Sequence, residues 1–267
     1  MKKQFMRHLL PIRQYWLMGL VMLVAVSCKK ESVAPLPVDD TELLVTLTGS
    51  DGAIQIKYGT DSLPVEITTS LLSDDDAPVK YTIRYRPDKK ILDLNGNDGM
   101  VITPVYDAGI PLGTNYYKNN IHEAAVSYNL ENGLYKLVTL YRRMDEGFFP
   151  ALSFHFEHDA TGNITQTVIM GEQGTPNYLV RQGHINFLYD QKKNPLYAHK
   201  DLLMLFLQAV SKNNITREDH FNKQLVLEDR YAYTYTYKSN DFPAKAKLKI
   251  GLDDATAIQD EIIYAYE

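Results

Sequence analysis

The chain has 267 residues, of which 45% are hydrophobic and 23% are charged, with 28 lysines and arginines against 33 aspartates and glutamates. This composition excludes a wholly disordered chain, a collagen-like chain and a protein with many membrane-spanning helices, because each of these needs a strong compositional bias. A globular domain is the default, and the chain carries no motif that is typical of a catalytic site.

The first twenty-seven residues have the pattern of a secretory signal peptide. An apolar run of eleven residues extends from Trp16 to Val26. It is too short for a membrane span, which needs about 20 apolar residues. Four basic residues precede the end of this run: Lys2, Lys3, Arg7 and Arg13. We therefore expect residues 1–27 to be a leader that is removed.

The leader ends in Val24-Ala25-Val26-Ser27-Cys28, which resembles a bacterial lipobox, with Ala25 where leucine is usual. The resemblance implies that Cys28 is acylated and becomes the mature N-terminus. Cys28 is the only cysteine of the chain, so it cannot form an intramolecular disulfide, and acylation would exclude it as a nucleophile or metal ligand. The alternative is ordinary signal cleavage beside a free thiol.

The mature chain is acidic and begins with a linker. Loss of the leader removes four basic residues and no acidic one, which changes the formal net charge from −5 to −9. Such a surface repels phosphate backbones, so nucleic acid is excluded as a partner. Residues 28–40 contain Pro35 and Pro37 and no periodic apolar face, which predicts a flexible lipidated linker. The expected partners are the membrane, through the lipid anchor, and a glycan or an envelope protein.

Residues 41–267 show no further change of composition and predict a single domain. Residues alternate between apolar and polar along 79–86, and in 245–250 three lysines alternate with Ala246, Leu248 and Ile250. This period of two is typical of antiparallel strands with one face in water. We expect a mainly β fold, an antiparallel meander that forms a curled sheet or a barrel-like domain. A membrane barrel is disfavoured because the lysine face could point outward only into water.

One helix is predicted near 195–210. It follows Asn194-Pro195, a suitable cap and first turn, and runs to about Val210. Its apolar stripe, which would cover part of the sheet, consists of Leu202, Leu205, Phe206 and Ala209. A membrane-associated helix is the alternative, but so short a run fits a core helix better.

Three segments join a strand with alternating aromatic residues to a turn rich in Asp and Asn, and they begin at Phe154, Phe187 and Tyr231. On these segments the chain resembles Bacteroidota outer-membrane lipoproteins of unknown function with Tyr-Asp-repeat-like strands. The matching pieces are Tyr189-Asp190, Asn194-Pro195, Ser211-Lys212-Asn213-Asn214 and Phe242-Pro243. The resemblance implies a β-rich domain without established activity, lipid-anchored to the outer membrane at the cell surface or on the periplasmic face.

Metal and catalytic motifs are weak. The segment from Asp93 to Gly99 resembles the start of an EF-hand loop, but Asp98 stands where that loop needs glycine and Pro104 where it needs glutamate, so a hairpin turn is the better interpretation. Residues 74–76 are aspartates that predict a solvated loop. His155 and His158 would point to opposite faces of a strand. We therefore predict no metal, no cofactor and no catalytic residues.

The one candidate ligand-binding site is a ladder of tyrosines at alternate positions of a predicted strand: Tyr231, Tyr233, Tyr235 and Tyr237. The rings would repeat about every 6.6 Å on one face, where they either stack against a sugar or peptide or pack in the interior. Two functions remain open. The first is a non-catalytic binding or structural domain of the cell envelope, and the alternative is an envelope hydrolase that acts on glycans through two loop carboxylates converging in a cleft.

Overall fold

A computed structural model describes residues 42–49, 52–72, 77–173, 178–253 and 257–267. The leader, Cys28, the linker and the aspartates at 74–76 lie outside these described residues. Sixteen strands are formed: β1 (Leu44–Gly49), β2 (Gly52–Tyr58), β3 (Pro64–Thr69), β4 (Val79–Tyr85), β5 (Ile91–Gly96), β6 (Met100–Asp107), β7 (Ile110–Lys118), β8 (Ile121–Glu131), β9 (Leu134–Met144), β10 (Gly147–His158), β11 (Ile164–Glu172), β12 (Leu179–Lys193), β13 (Asn213–Asn222), β14 (Leu227–Tyr237), β15 (Pro243–Ile250) and β16 (Ile258–Tyr266).

The strands form a closed antiparallel barrel. Each strand pairs with its neighbour in sequence, and β1 pairs with β16 in a register that places Leu47 opposite Tyr264. Closure leaves neither strand with an unpaired edge. The predicted mainly β meander is confirmed, and the barrel-like form is the one that the chain adopts.

The alternation of side chains sets the inner and outer faces of the barrel. In β15, Ala246 and Leu248 point inward and are buried, whereas Lys245 and Lys247 point outward and are exposed. Cross-strand ion pairs cover other parts of the outer face, such as Arg84 with Asp93. Barrels of this strand number can leave an aqueous channel. Here the inward side chains, together with a chain segment described below, form one apolar core.

The connection between β12 and β13, residues 194–212, enters the barrel, and we call it the plug. It contains a 3₁₀ helix (Pro195–His199) and one α-helical turn, α1 (Lys200–Met204), and every residue from Leu202 to Val210 is buried. The Asn194 side chain caps the 3₁₀ helix by accepting a hydrogen bond from the Leu196 backbone N–H at 2.8 Å. The predicted cap is therefore present.

The helical segment is shorter than the predicted 195–210 because a side chain of the barrel wall binds a carbonyl oxygen just after α1. The Tyr116 hydroxyl donates to the Leu205 carbonyl oxygen at 2.9 Å, which gives that carbonyl a partner outside the helix. Leu207 then adopts a left-handed backbone conformation with φ of 60°, which ends any regular helix. In the described part of the chain, no helix has the length and apolar character that crossing a membrane requires.

The two ends of the barrel differ. The plug, the start of β1 and the end of β16 lie at one end, which we call the plug end, where the Leu43 N–H donates to the Glu267 carbonyl oxygen at 3.1 Å. The other end, which we call the distal end, carries the turns that lead from each odd-numbered strand to the next even-numbered one.

Candidate functional site

The predicted tyrosine ladder lies on β14 and faces the interior of the barrel. Tyr231 and Tyr233 are buried, and Tyr235 and Tyr237 are half-buried. Successive rings lie close together, with centroids 6.4 Å apart between Tyr233 and Tyr235 and 5.7 Å apart between Tyr235 and Tyr237. The face of the ladder is therefore directed into the core and away from solvent, and its role in ligand binding stays a prediction.

Hydroxyl groups of the ladder are bonded to the barrel itself. The Tyr235 hydroxyl donates to the Ile215 carbonyl oxygen at 2.9 Å, and the Tyr237 hydroxyl donates to the Asp190 carboxylate. Burial, and then the hydrogen bond to Asp190, raise the pKa of Tyr237. A tyrosine that already donates to a buried wall group has no free proton for a ligand, which favours the packing role of this face.

A buried carboxyl group, Glu218 of β13, is the most unusual titratable group of the interior. Its side chain is fully buried between the Tyr233 hydroxyl, which donates to Oε1 at 2.7 Å, and His220 Nε2, which lies 3.1 Å from Oε2. Burial raises the pKa of Glu218, although its hydrogen bonds to His220 and Tyr233 oppose this shift. Both carboxyl oxygens have partners, so the group can tie β13 to β14.

Sequence reasoning missed Glu218. In the observed register it lies between Phe187 of β12 and Tyr231 of β14, both of which face inward. A glutamate at an inward position between two aromatic neighbours would have indicated a buried carboxyl group. That signal needs the strand register, which the pattern of β13 alone does not supply.

The segment from Asp93 to Gly99 forms the predicted hairpin turn and not an EF-hand loop. Asp93 lies on β5 and accepts hydrogen bonds from Arg84 at 2.8 Å and Asn95 at 2.6 Å, and Asp98 pairs with Lys118. The turn closes through a Gly99 N–H bond to the Gly96 carbonyl oxygen. Across the described ranges, no group of three or more His, Cys, Asp or Glu side chains is arranged to hold a metal ion.

His155 and His158 point to opposite faces of β10, as strand geometry predicted. His155 is exposed on the outer face, and His158 is half-buried near the plug. Burial and the neighbouring Lys136 lower the pKa of His158 to about 4, against a smaller opposite effect of Asp159. His158 also lines a crevice with Tyr197 and Lys200 that encloses about 20 Å³. This is room for one water molecule and too little for an organic substrate.

Buried acids do not converge on a common point. Among the described residues, the buried carboxyl groups belong to Glu218, Asp219 and Asp93. Glu218 faces inward, whereas Asp219 lies on the outer face between Arg217 and Arg230. Burial alone would raise the pKa of Asp219, but the hydrogen bonds from the two guanidinium groups together outweigh it and lower the pKa. Glu218 and Asp219 therefore point to opposite sides of the barrel wall and are not a facing pair of acids such as a glycosidase of the two-carboxylate type uses.

Comparison with known proteins gives similarity of fold only. No protein-family model matches the chain, and no curated protein matches its sequence. Among solved structures, the chain is similar to a porin-like protein from Bacteroides uniformis, with 13% identity and a TM-score of 0.55, over 85% of this chain and 95% of that one. It is also similar to a porin-like protein from Bacteroides vulgatus, with 11% identity and a TM-score of 0.56, over 85% and 99% of the two chains. The similarity extends over most of this chain and nearly all of each of the two neighbours.

Proposed function

We propose that this chain is a lipid-anchored protein of the outer membrane whose sealed barrel is a non-catalytic binding or structural domain. The observation that carries the proposal is the packed core: the plug and the inward side chains form one cluster of buried apolar residues inside the sixteen strands. A barrel that is filled by its own core can act on other molecules only through its outer surface and its ends.

The distribution of apolar side chains argues against a pore, although the structural neighbours have porin-like names. A membrane-spanning porin has an apolar outer band and a polar lumen. This barrel has the reverse arrangement, because Leu94 and Ile102 face inward with 0% exposure while Arg84 and Lys245 face solvent. The barrel is built to be surrounded by water.

The position of the N-terminus supports a tether. The described chain begins at Glu42 at the plug end, and Cys28 precedes it by fourteen residues. A linker of that length reaches at most about 50 Å when fully extended. An acylated Cys28 would therefore keep the plug end within about 50 Å of the bilayer. Both structural neighbours come from Bacteroides, in agreement with an envelope protein of this group.

The anchor is tested by metabolic labelling with an alkyne fatty acid in a Bacteroidota host, followed by mass spectrometry of the mature N-terminus. We expect label on the wild-type chain and its loss in Cys28→Ala, with the matched variant Lys29→Ala labelled as wild type. An unlabelled wild-type chain, or one that retains residues 1–27, would contradict the anchor.

The sealed barrel is tested separately by adding the purified full chain to planar lipid bilayers. We expect no stepwise conductance, because the core of the barrel leaves no aqueous path. Reproducible single-channel steps would show that the barrel opens a pore and would refute the proposed function, whatever the state of Cys28.

A further inference from the structure

Two neighbouring turns of the plug end are held together, the turn between β4 and β5 and the turn between β6 and β7. The Lys90 ammonium group of the first turn donates to the Gly109 carbonyl oxygen of the second. The same ammonium group and the Arg86 guanidinium group lie over the Tyr106 ring, 5.7 Å and 5.6 Å from its centroid. These contacts fix the position of the two turns relative to each other.

Large apolar side chains are exposed on and beside these two turns. The residues, which we call the apolar sector, are Leu92, Val105, Ile110 and Leu112, with 40% to 55% of each residue exposed. Val105 lies opposite Gly113, the residue that follows Leu112. Ile110 lies opposite Asp107, two residues beyond Val105. Among the described residues of the other plug-end turns, no large apolar residue is exposed to this degree.

The charges on the apolar sector and its two flanking turns are balanced. Three ion pairs lie here: Arg84 with Asp93, Arg86 with Asp88, and Lys136 with Glu131. The other charges are the basic Lys89 and Lys90 and the acidic Asp61 and Asp107. Such a surface neither repels nor selects an anionic headgroup, so a contact with lipid depends on the apolar side chains.

The proposed tether joins the barrel at this same end. The described chain begins at Glu42, fourteen residues after Cys28, and a flexible chain of that length spans about 20 Å on average. Sixteen tilted strands about 4.8 Å apart give a diameter of about 30 Å, so a tether of at most about 50 Å reaches every part of the plug end. The strands β7 to β10, which have nine to twelve residues, place the distal end about 25 to 30 Å farther away. The anchor therefore favours contact of the bilayer with the plug end.

The size of the apolar sector suits a tethered contact with lipid. Taking roughly 150 Å² for a full apolar side chain, four side chains that are about half exposed offer on the order of 300 Å². This is well below the area of about 800 Å² that each partner buries in a stable protein complex, which argues against a second copy or another protein. A tether makes docking an intramolecular event with an effective concentration of about millimolar, so a weak contact is enough.

We propose that the apolar sector docks on the phospholipid bilayer that holds the anchor, with Ile110 and Leu112 at the boundary between headgroups and acyl chains. Lys89 and Lys90, beside them, can extend their ammonium groups to the headgroup phosphates. Docking turns the side of β5 to β7 toward the bilayer and leaves the opposite wall, around β14, facing away from it. This inference rests on the proposed function, because it needs the tether.

The contact is tested by tryptophan fluorescence of the full mature protein, purified from membranes and reconstituted in vesicles of phosphatidylcholine with or without bromine on the acyl chains. Trp16 is the only tryptophan and lies in the leader, so Leu112→Trp supplies the single signal of the mature chain. We expect brominated lipid to quench about half of its emission, because a side chain at the headgroup boundary lies within reach of the bromines. The matched control Leu225→Trp, at a position that is 57% exposed at the distal end, should keep its emission.

A second variant and flotation of the vesicles separate the outcomes. Adding Ile110→Asp and Val105→Asp to Leu112→Trp should reduce the quenching severalfold, while the protein still floats with the vesicles through its anchor. A floating protein whose Leu112→Trp is quenched no more than Leu225→Trp would overturn the docking and leave the anchor standing. Emission of Leu112→Trp at short wavelength without quenching would show a contact with protein in place of lipid and would also overturn it. A protein that does not float with the vesicles would contradict the anchor and, with it, this inference.

Discussion

Phe206 is the side chain through which the plug can be tested as part of the core. It is 1% exposed, and its ring meets that of Tyr81 edge to face at a centroid distance of 5.2 Å. Phe206→Ala removes roughly 150 Å² of buried apolar surface, which at about 25 cal/mol per Å² costs about 4 kcal/mol. Partial collapse of the cavity keeps the expected loss within about 3 to 5 kcal/mol.

The measurement is urea unfolding of the purified chain followed by far-UV circular dichroism, with the free energy of unfolding extrapolated to water. Phe206→Leu keeps most of the volume and should lose about 1 kcal/mol. Leu225→Ala, at an exposed position, should lose less than about 0.5 kcal/mol. A loss below about 1 kcal/mol for Phe206→Ala, with an unchanged dependence on urea, would refute the burial of the plug in the barrel.

Two other substitutions test polar groups of the core. Tyr116→Phe removes the hydroxyl that donates to the Leu205 carbonyl oxygen and should lower the free energy of unfolding by about 1 to 2 kcal/mol, and no loss would show that the plug does not depend on this bond. Burial raises the pKa of Glu218 in the folded protein above the usual value of about 4.3. Protonation of Glu218 therefore stabilises the folded state. This stabilisation is fully present below the usual pKa and is lost as the pH rises through the raised pKa of the folded protein. Glu218→Gln should therefore lose less stability than wild type as the pH rises above about 4.3, as measured by urea unfolding over a series of pH values. Glu261→Gln, on the outer face, should keep the wild-type pH profile, and identical profiles for wild type and Glu218→Gln would contradict the raised pKa of Glu218.

Local periodicity predicted some of the strands, such as those at 79–85 and 245–250, and the sides to which their residues point. In β15, Lys245 and Lys247, which alternate with Ala246 and Leu248, could only face water, and the structure places them there. Closure could not be predicted in the same way. The bond between Leu43 and Glu267 joins residues at opposite ends of the sequence, and no local pattern records which distant strand becomes a neighbour.

The helix shows where local signals fail. Asn194 and Pro195 correctly marked its start, because capping acts within a few residues. Its end depends on Tyr116, a wall residue far away in sequence that binds the Leu205 carbonyl oxygen. The burial of Glu218 also depends on contacts outside its own strand, because its neighbours on β12 and β14 are inward-facing aromatic residues. What sequence reasoning missed in the interior is set by contacts between different elements of the fold.

The pairing of β1 with β16 means that the barrel cannot close until the whole chain has been made. A chain that leaves the ribosome from its N-terminus presents β1 long before residues 258–266 exist. Until then the backbone N–H and C=O groups of β1 that β16 will occupy are open to any other extended segment, which is the template on which misassembly begins. Loss of residues 258–267 would expose β1 and β15 together. Pairing of β16 therefore decides whether the molecule is a closed barrel or an open sheet with two unpaired edge strands that can bind other chains.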